Sequence, residues 1–307
     1  METTLKTLRR TLKVRTRTTA GLALAFTSAA TLFLVSCASA GPEAIATPVP
    51  AAQTNEVKKP VATPVRTPVV VSRVKTVTVA YPDGMISGVT ANAYDTEGRI
   101  TREDQKNGDN VIVSSRLFTY KTNNSVEIST LDATGETKGK TIQELNLGRV
   151  VKEKILNPRG ELQSTSEYQY DKDGNKIAWL AQGVTTGQTI TEYTWEKGLN
   201  IRIAVKDASG AIIKRYERVF DADGHLTNES EFDTKGVQLS KGVYSWKSGF
   251  LVSEETFDPK NILLRAIRYT PDNQGRIAKI EYLNRSGQVL EVKTNDWITL
   301  KIPALDK

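Results

Sequence analysis

One cysteine and one histidine carry most of the distinctive chemistry open to this 307-residue sequence. Cys37 is the only thiol, which excludes an internal disulfide framework and any zinc site built from several thiolates. His225 is the only imidazole, which excludes sites that need two or three of them. It sits one residue past a turn glycine, and no nucleophile-elbow sequence supplies a serine partner, so it reads as an exposed turn histidine. Asp171-Lys172-Asp173-Gly174-Asn175 and Asp221-Ala222-Asp223-Gly224 invite a calcium reading. An EF-hand loop needs further oxygen ligands and a bidentate Glu at its twelfth position, and neither segment has that spacing. There is no P-loop or dinucleotide fingerprint, and no carboxylate pair stands out for glycoside hydrolysis. The chain is therefore read as a non-enzyme without metal or cofactor.

The formal charge of +7 is misleading, because residues 1–36 hold six basic residues against Glu2, a net +5 that leaves +2 on the rest. So near a balance gives no case for nucleic acid. Residues 1–36 have the layout of an export signal: basic up to Arg17, then uncharged and rich in Ala, Leu and Phe. An uncleaved membrane helix, an ordinary signal peptide cut near Ala38-Ser39-Ala40, or a chance thiol are the competing readings. Leu34-Val35-Ser36-Cys37 resembles the lipobox of bacterial lipoproteins. That resemblance implies cleavage before Cys37, lipidation of its thiol and acylation of the new amino group. Each buried CH₂ contributes about 0.8 kcal/mol, so several acyl chains anchor stably where one does not.

Residues 37–73 read as the lipidated cysteine followed by an extended spacer, with Pro42, Pro48, Pro50, Pro60, Pro64 and Pro68 among Ala, Thr and Val. Residues 74–307 read as one repeat domain. Its unit is Asp or Asn, two residues, then Gly, as in Asp95–Gly98, Asp132–Gly135, Asn157–Gly160 and Asp233–Gly236. The first side chain accepts a hydrogen bond from the backbone two residues on, and the fourth position takes a left-handed conformation. One series of turns starts near 107, 132, 157, 183, 207, 233, 258 and 284. A second starts near 95, 121, 146, 171, 196, 221, 247 and 272, so the two interleave every 12 or 13 residues.

Aromatic residues follow the same period. Tyr94, Phe118, Tyr168, Tyr193, Tyr244 and Tyr269 hold one phase, with Gln143 and Val219 in the remaining places, and Tyr120, Tyr170, Trp195 and Trp246 come two residues on. Alternate residues of a strand share a face, so the rings form one stripe. The expected fold is all-β: about eight tandem hairpins of about 25 residues, some sixteen strands, in an elongated antiparallel sheet that is open, rolled or closed. The motif Tyr94-Asp95-Thr96-Glu97-Gly98-Arg99-Ile100 resembles the YD repeats of Rhs-type and teneurin-type proteins, and the array is more loosely similar to MORN-like repeats. In the large families such repeats build shells around cargo, and eight hairpins are too few for one.

The sequence thus predicts an envelope lipoprotein, at the outer membrane in preference to the inner, whose β-repeat surface binds a protein or glycan partner. Tyr193, Trp195, Tyr244 and Trp246 are the candidate binding surface. A structural scaffold is the alternative, and a glycan-degrading enzyme the second. Cys37→Ala should leave an unlipidated chain whose mass lacks the acyl groups; a wild-type chain of the same unmodified mass would contradict the lipobox.

Overall fold

The computed structural model describes residues 68–303. The signal segment, Cys37 and the spacer up to residue 67 lie outside the described residues.

Among the described residues, eighteen strands follow one another without a helix between them. They are β1 (Val69–Ala80), β2 (Ile86–Tyr94), β3 (Ile100–Asn107), β4 (Ile112–Tyr120), β5 (Ser125–Asp132), β6 (Thr137–Asn146), β7 (Arg149–Leu156), β8 (Leu162–Tyr170) and β9 (Lys176–Gly183). Then come β10 (Gly187–Glu196), β11 (Leu199–Asp207), β12 (Ile212–Phe220), β13 (Leu226–Phe232), β14 (Gln238–Lys247), β15 (Phe250–Phe257), β16 (Leu263–Pro271), β17 (Ile277–Asn284) and β18 (Val289–Ile302). Each pairs antiparallel with the next, and β18 returns to β1 from Val69↔Ile302 to Ala80↔Val292. The sheet is therefore a closed up-and-down barrel, one of the three forms compatible with the sequence pattern. It holds nine hairpins where the motif spacing predicts eight, and β1 begins five residues before the expected boundary at residue 74.

The turns lie on the expected grid. In eleven of them the Oδ1 of the leading Asp or Asn accepts the backbone N–H groups two and four residues ahead, as Asn157 does from Arg159 and Glu161, both at 2.9 Å. That use explains the recurrent aspartate without calcium. The fourth residue is left-handed, Gly160 at φ 81° and Asn261 at φ 59°. Three turns are different: Leu147-Gly148, Lys197-Gly198 and Ser248-Gly249 have two residues of positive φ each. These are tight hairpins of the type whose twist matches the strands.

Eighteen strands about 4.8 Å apart and tilted about 40° close a ring roughly 35 Å across. Among the described residues no strand contacts any but its two ring neighbours, so opposite walls of the ring stand apart. The registers advance by about eighteen residues along β1 in one circuit. Taken with the right-handed tilt of β-barrels, the sense of that advance fixes where L-residues point. On odd strands, residues whose backbone bonds face the next strand point inward; Asn107 and Tyr81 define that set through their turn bonds. The barrel has little conventional core: no large side chain among the described residues is fully buried, and Leu283, at 2% exposed, comes nearest.

Gly160 isolates the turn requirement, because a Cβ there would meet nothing within 4 Å. Gly160→Ala should cost about 1 kcal/mol in urea unfolding, from backbone conformation alone, and Gly160→Asn less. Equal stability of the wild-type chain and the alanine variant would contradict the left-handed turn.

Candidate functional site

Following the cross-strand pairs around the ring separates two faces. The inward face carries Tyr94, Phe118, Tyr120, Tyr168, Tyr170, Trp179, Tyr193, Trp195, Tyr216, Phe220, Tyr244, Trp246, Tyr269, Tyr282 and Trp297. The outward face carries Asp104, Glu127, Lys152, Glu192, Arg215, Glu217, Lys241, Glu255 and Glu281 at mid-strand. The aromatic stripe of the sequence is thus the lumen wall. Val219 does not belong to it: it faces outward, 57% exposed, and Arg218 takes the inward place in β12. Arg218 follows Tyr193 by 25 residues, the same step that separates Tyr168 from Tyr193, and the longer step of 26 comes after it, to Tyr244.

The rings divide into two kinds. Near the rim shared by Val69 and Ile302, the ladder within a hairpin stops short and a ring bridges the gap. Tyr94, Tyr120 and Tyr170 donate their hydroxyls to the carbonyls of Val74, Ile100 and Val150 at 2.7, 3.0 and 2.8 Å. Trp195, Trp246 and Trp297 donate their indole N–H to Lys176, Leu226 and Ile277 at 2.9, 2.8 and 3.2 Å. Two of the four predicted surface residues, Trp195 and Trp246, therefore act as clasps. The other two, Tyr193 and Tyr244, stand deeper in the wall on β10 and β14, four strands apart, so the four are not gathered into one site. Around Tyr193, Lys176 Nζ lies 4.7 Å from its ring centre and 5.8 Å from that of Tyr168, which stacks on Trp179 at 6.1 Å and 11°.

Around Tyr244 the wall forms a hollow of about 260 Å³ that no sequence motif announces, since its residues come from five strands. Gly242 is its floor, Tyr216 and Tyr244 its sides, and Glu229, Glu231, Glu254 and Arg265 its polar lining. The carboxylates are tied from outside the hollow: Arg218 Nε reaches Glu229 at 2.6 Å and Lys214 Nζ reaches Glu231 at 2.7 Å. Glu254 has only longer contacts, Arg265 at 3.7 Å and the Tyr269 hydroxyl at 3.4 Å. Burial raises the phenol pKa of Tyr244 well above its ordinary value, and the charges of Glu229 and Glu254 add to the rise. Both phenols, Tyr244 and Tyr269, remain protonated donors at any physiological pH.

His225 stacks on Trp246, centres 4.6 Å apart, with Nδ1 3.1 Å from Asp221 Oδ2. Asp221, Asp223 and His225 could offer three ligand atoms within 4.8 Å of one another. Asp221 Oδ1 already accepts the N–H groups of Asp223 and His225, as in every other such turn.

The whole is a closed antiparallel β-barrel with an aromatic, polar lumen and a charged exterior. Such an exterior is incompatible with lipid, because a transmembrane barrel needs an outward apolar band about 25 Å tall and each buried Lys or Arg costs about 2–4 kcal/mol at mid-depth. No protein-family model matches the sequence, and no curated protein matches it. Solved structures do. A porin-like protein from Bacteroides vulgatus ATCC 8482 is 13% identical, covers 73% of this chain and 97% of its own, and has a TM-score of 0.35. A porin-like protein from Bacteroides uniformis ATCC 8492 is 11% identical over 73% of this chain and 98% of its own, at 0.27. The TcdB2-TccC3 protein without its hypervariable C-terminal region is 12% identical over 64% of this chain and 15% of its own, at 0.19. At these scores the barrel assignment rests on the chain's own strand registers.

The turns dictate the acid response. Hydrogen bonds from Thr134 and Lys138 hold Asp132 below the usual carboxylate range, Asn175 does so for Asp171, and Ser209 for Asp207. Groups with lowered folded-state pKa contribute stability above the unfolded carboxylate pKa, about 4, and lose it as pH falls through their own. The melting temperature should hold between about pH 7 and 5 and fall steadily below about pH 4; a rise on acidification would contradict the turn assignment.

Proposed function

We propose that this chain is a lipid-anchored, non-catalytic cell-envelope protein whose barrel lumen binds a polar macromolecular partner, a glycan in the first place. The observation that carries the reading is the inward face: a belt of aromatic rings among paired charges, around the lumen. Flat rings match the C–H faces of sugars, and carboxylates, guanidinium groups and phenols exchange hydrogen bonds with hydroxyls. A protein segment of similar polarity is the other partner this wall suits. The lipid on Cys37 would hold the barrel at the membrane, with the outer membrane as its expected place, while the charged exterior keeps the barrel itself in water. The absence of a catalytic constellation in the sequence supports a binding role.

A scaffold role is favoured by one specific observation, the backbone bonds of the rim rings. Trp195 and Trp246 are therefore assigned to structure, and Tyr193, Tyr244 and Trp179 to the partner. Co-sedimentation of the purified full chain with insoluble envelope polysaccharide tests this division. Tyr193→Ala combined with Tyr244→Ala should lower the bound fraction about tenfold, whereas Trp195→Phe should lower thermal stability by about 1 kcal/mol and leave binding intact. Binding that survives loss of both tyrosines, or no binding by the wild-type chain, would overturn the glycan reading.

A further inference from the structure

We infer that the rim at which β1 ends is a docking surface for a second copy of this chain, the two barrels meeting rim to rim about a two-fold axis. The inference is independent of what the lumen binds.

Nine turns crown that rim, over residues 81–85, 107–111, 132–136, 157–161, 183–187, 207–211, 233–237, 258–262 and 284–288. The chain enters the barrel at Val69 and leaves it at Ile302, both on the opposite rim. Three features of the crown point to a second copy. First, it is apolar where it meets water. Among the described residues nine large hydrophobics are more than half exposed, and six of them stand in or just past these turns: Met85, Val111, Val184, Val237, Ile262 and Leu290. Exposed apolar side chains gathered on one surface mark an interaction site, whereas scattered ones do not. Second, the crown is large enough. A ring about 35 Å across with a wall about 10 Å thick presents about 1,100 Å² at its end, more than the about 800 Å² per partner of a stable complex.

Third, its charges are self-complementary. At the central turn positions the first and second turns carry Asp83 and Asp109, the fourth Arg159, and the seventh, eighth and ninth Lys235, Lys260 and Arg285; the other three carry no charge there. Among the described residues none of these six forms an ion pair within its own barrel, although the walls are laced with such pairs. Two-fold docking of ring on ring sets each turn against one turn of the partner. An axis through the fifth turn sets the first against the ninth, the second against the eighth, the third against the seventh and the fourth against the sixth. Asp83 then faces Arg285, and Asp109 faces Lys260. Lys235 meets the turn of Asp132 and Glu136, and Arg159 meets that of Asp207. The fifth turn, Gly183-Val184-Thr185-Thr186-Gly187, faces itself without charge. Of the nine axes that nine turns allow, this one alone opposes no like charges at the central positions. The acidic arc of Asp83 and Asp109 disfavours an anionic lipid surface as the occupant.

Sedimentation velocity of the purified full chain, in a detergent density-matched to the solvent, tests the inference. The wild-type chain should sediment as a dimer at micromolar concentration. Asp109→Lys and Lys260→Asp should each weaken association about tenfold, because every contact occurs twice across a two-fold, and the two reversals together should restore it. Leu147→Asp, on the opposite rim, should leave the dimer intact. Thr185→Cys gives a readout that needs no weakening of the fold: mild oxidation should link two copies through that position, with the wild-type chain unlinked. Asp83→Cys should link to Arg285→Cys in a mixture of the two variants and not to itself. A monomeric wild-type chain, or a dimer that ignores both charge reversals and stays unlinked at Thr185, would overturn the inference. A monomer whose binding to liposomes is lost on combining Met85→Asp with Ile262→Asp would also overturn it and assign the rim to lipid.

Discussion

The pairing of β18 with β1 is the constraint on which the rest of the molecule depends. A hairpin of about 25 residues cannot bury a face by itself, and here stacking hairpins does not create a buried core either, since no large described side chain is fully enclosed. Stability must therefore come from the backbone ladders, from turns that hold their own carbonyls and N–H groups, and from the removal of free edges. Twelve residues of β1 and fourteen of β18, the two longest strands, form that seam. Arg276 reinforces it across two strands by reaching the Ser72 hydroxyl at 3.3 Å. An even number of strands is obligatory for such a ring, because an antiparallel meander closes only when its last strand runs opposite to its first.

Closure also creates the two surfaces. Once the ring is wide enough to keep opposite walls apart, the inward face is solvated and need not be aliphatic. It can hold rings that bridge the open ends of hairpins, as Tyr94 and Trp246 do, and polar clusters such as that around Tyr244. The outward face is left to alternating acids and bases, many of them paired across neighbouring strands, as Lys206 is with Glu192 at 2.7 Å. Exposed pairs of this kind add little stability each but keep the exterior soluble.

Local chemistry was legible in the sequence and global geometry was not. Asp-x-x-Gly motifs located the turns because each satisfies its own backbone, as Asp233 does for Lys235 and Val237. The tyrosine and tryptophan series located one face because strand side chains alternate. The ninth hairpin was missed because β1 follows a proline-rich stretch and only β18 comes after the last turn, so neither outer strand is flanked by motifs on both sides. Closure left no trace, since a periodic pattern is the same whether its ends meet or not. The aromatic place given to Val219 slipped by one residue, which in a strand reverses the face. The hollow was invisible because Tyr216, Glu229, Gly242, Glu254 and Arg265 are separated by at least eleven residues each and meet only through register.

Amide hydrogen exchange along the seam tests closure most directly. In a closed barrel the β1 and β18 amides that face each other, including those of Thr78, Ala80, Val292 and Thr294, are protected as strongly as the central amides of β9 and β10. Exchange of the seam amides at the rate of a free sheet edge, with β9 and β10 still protected, would contradict the account.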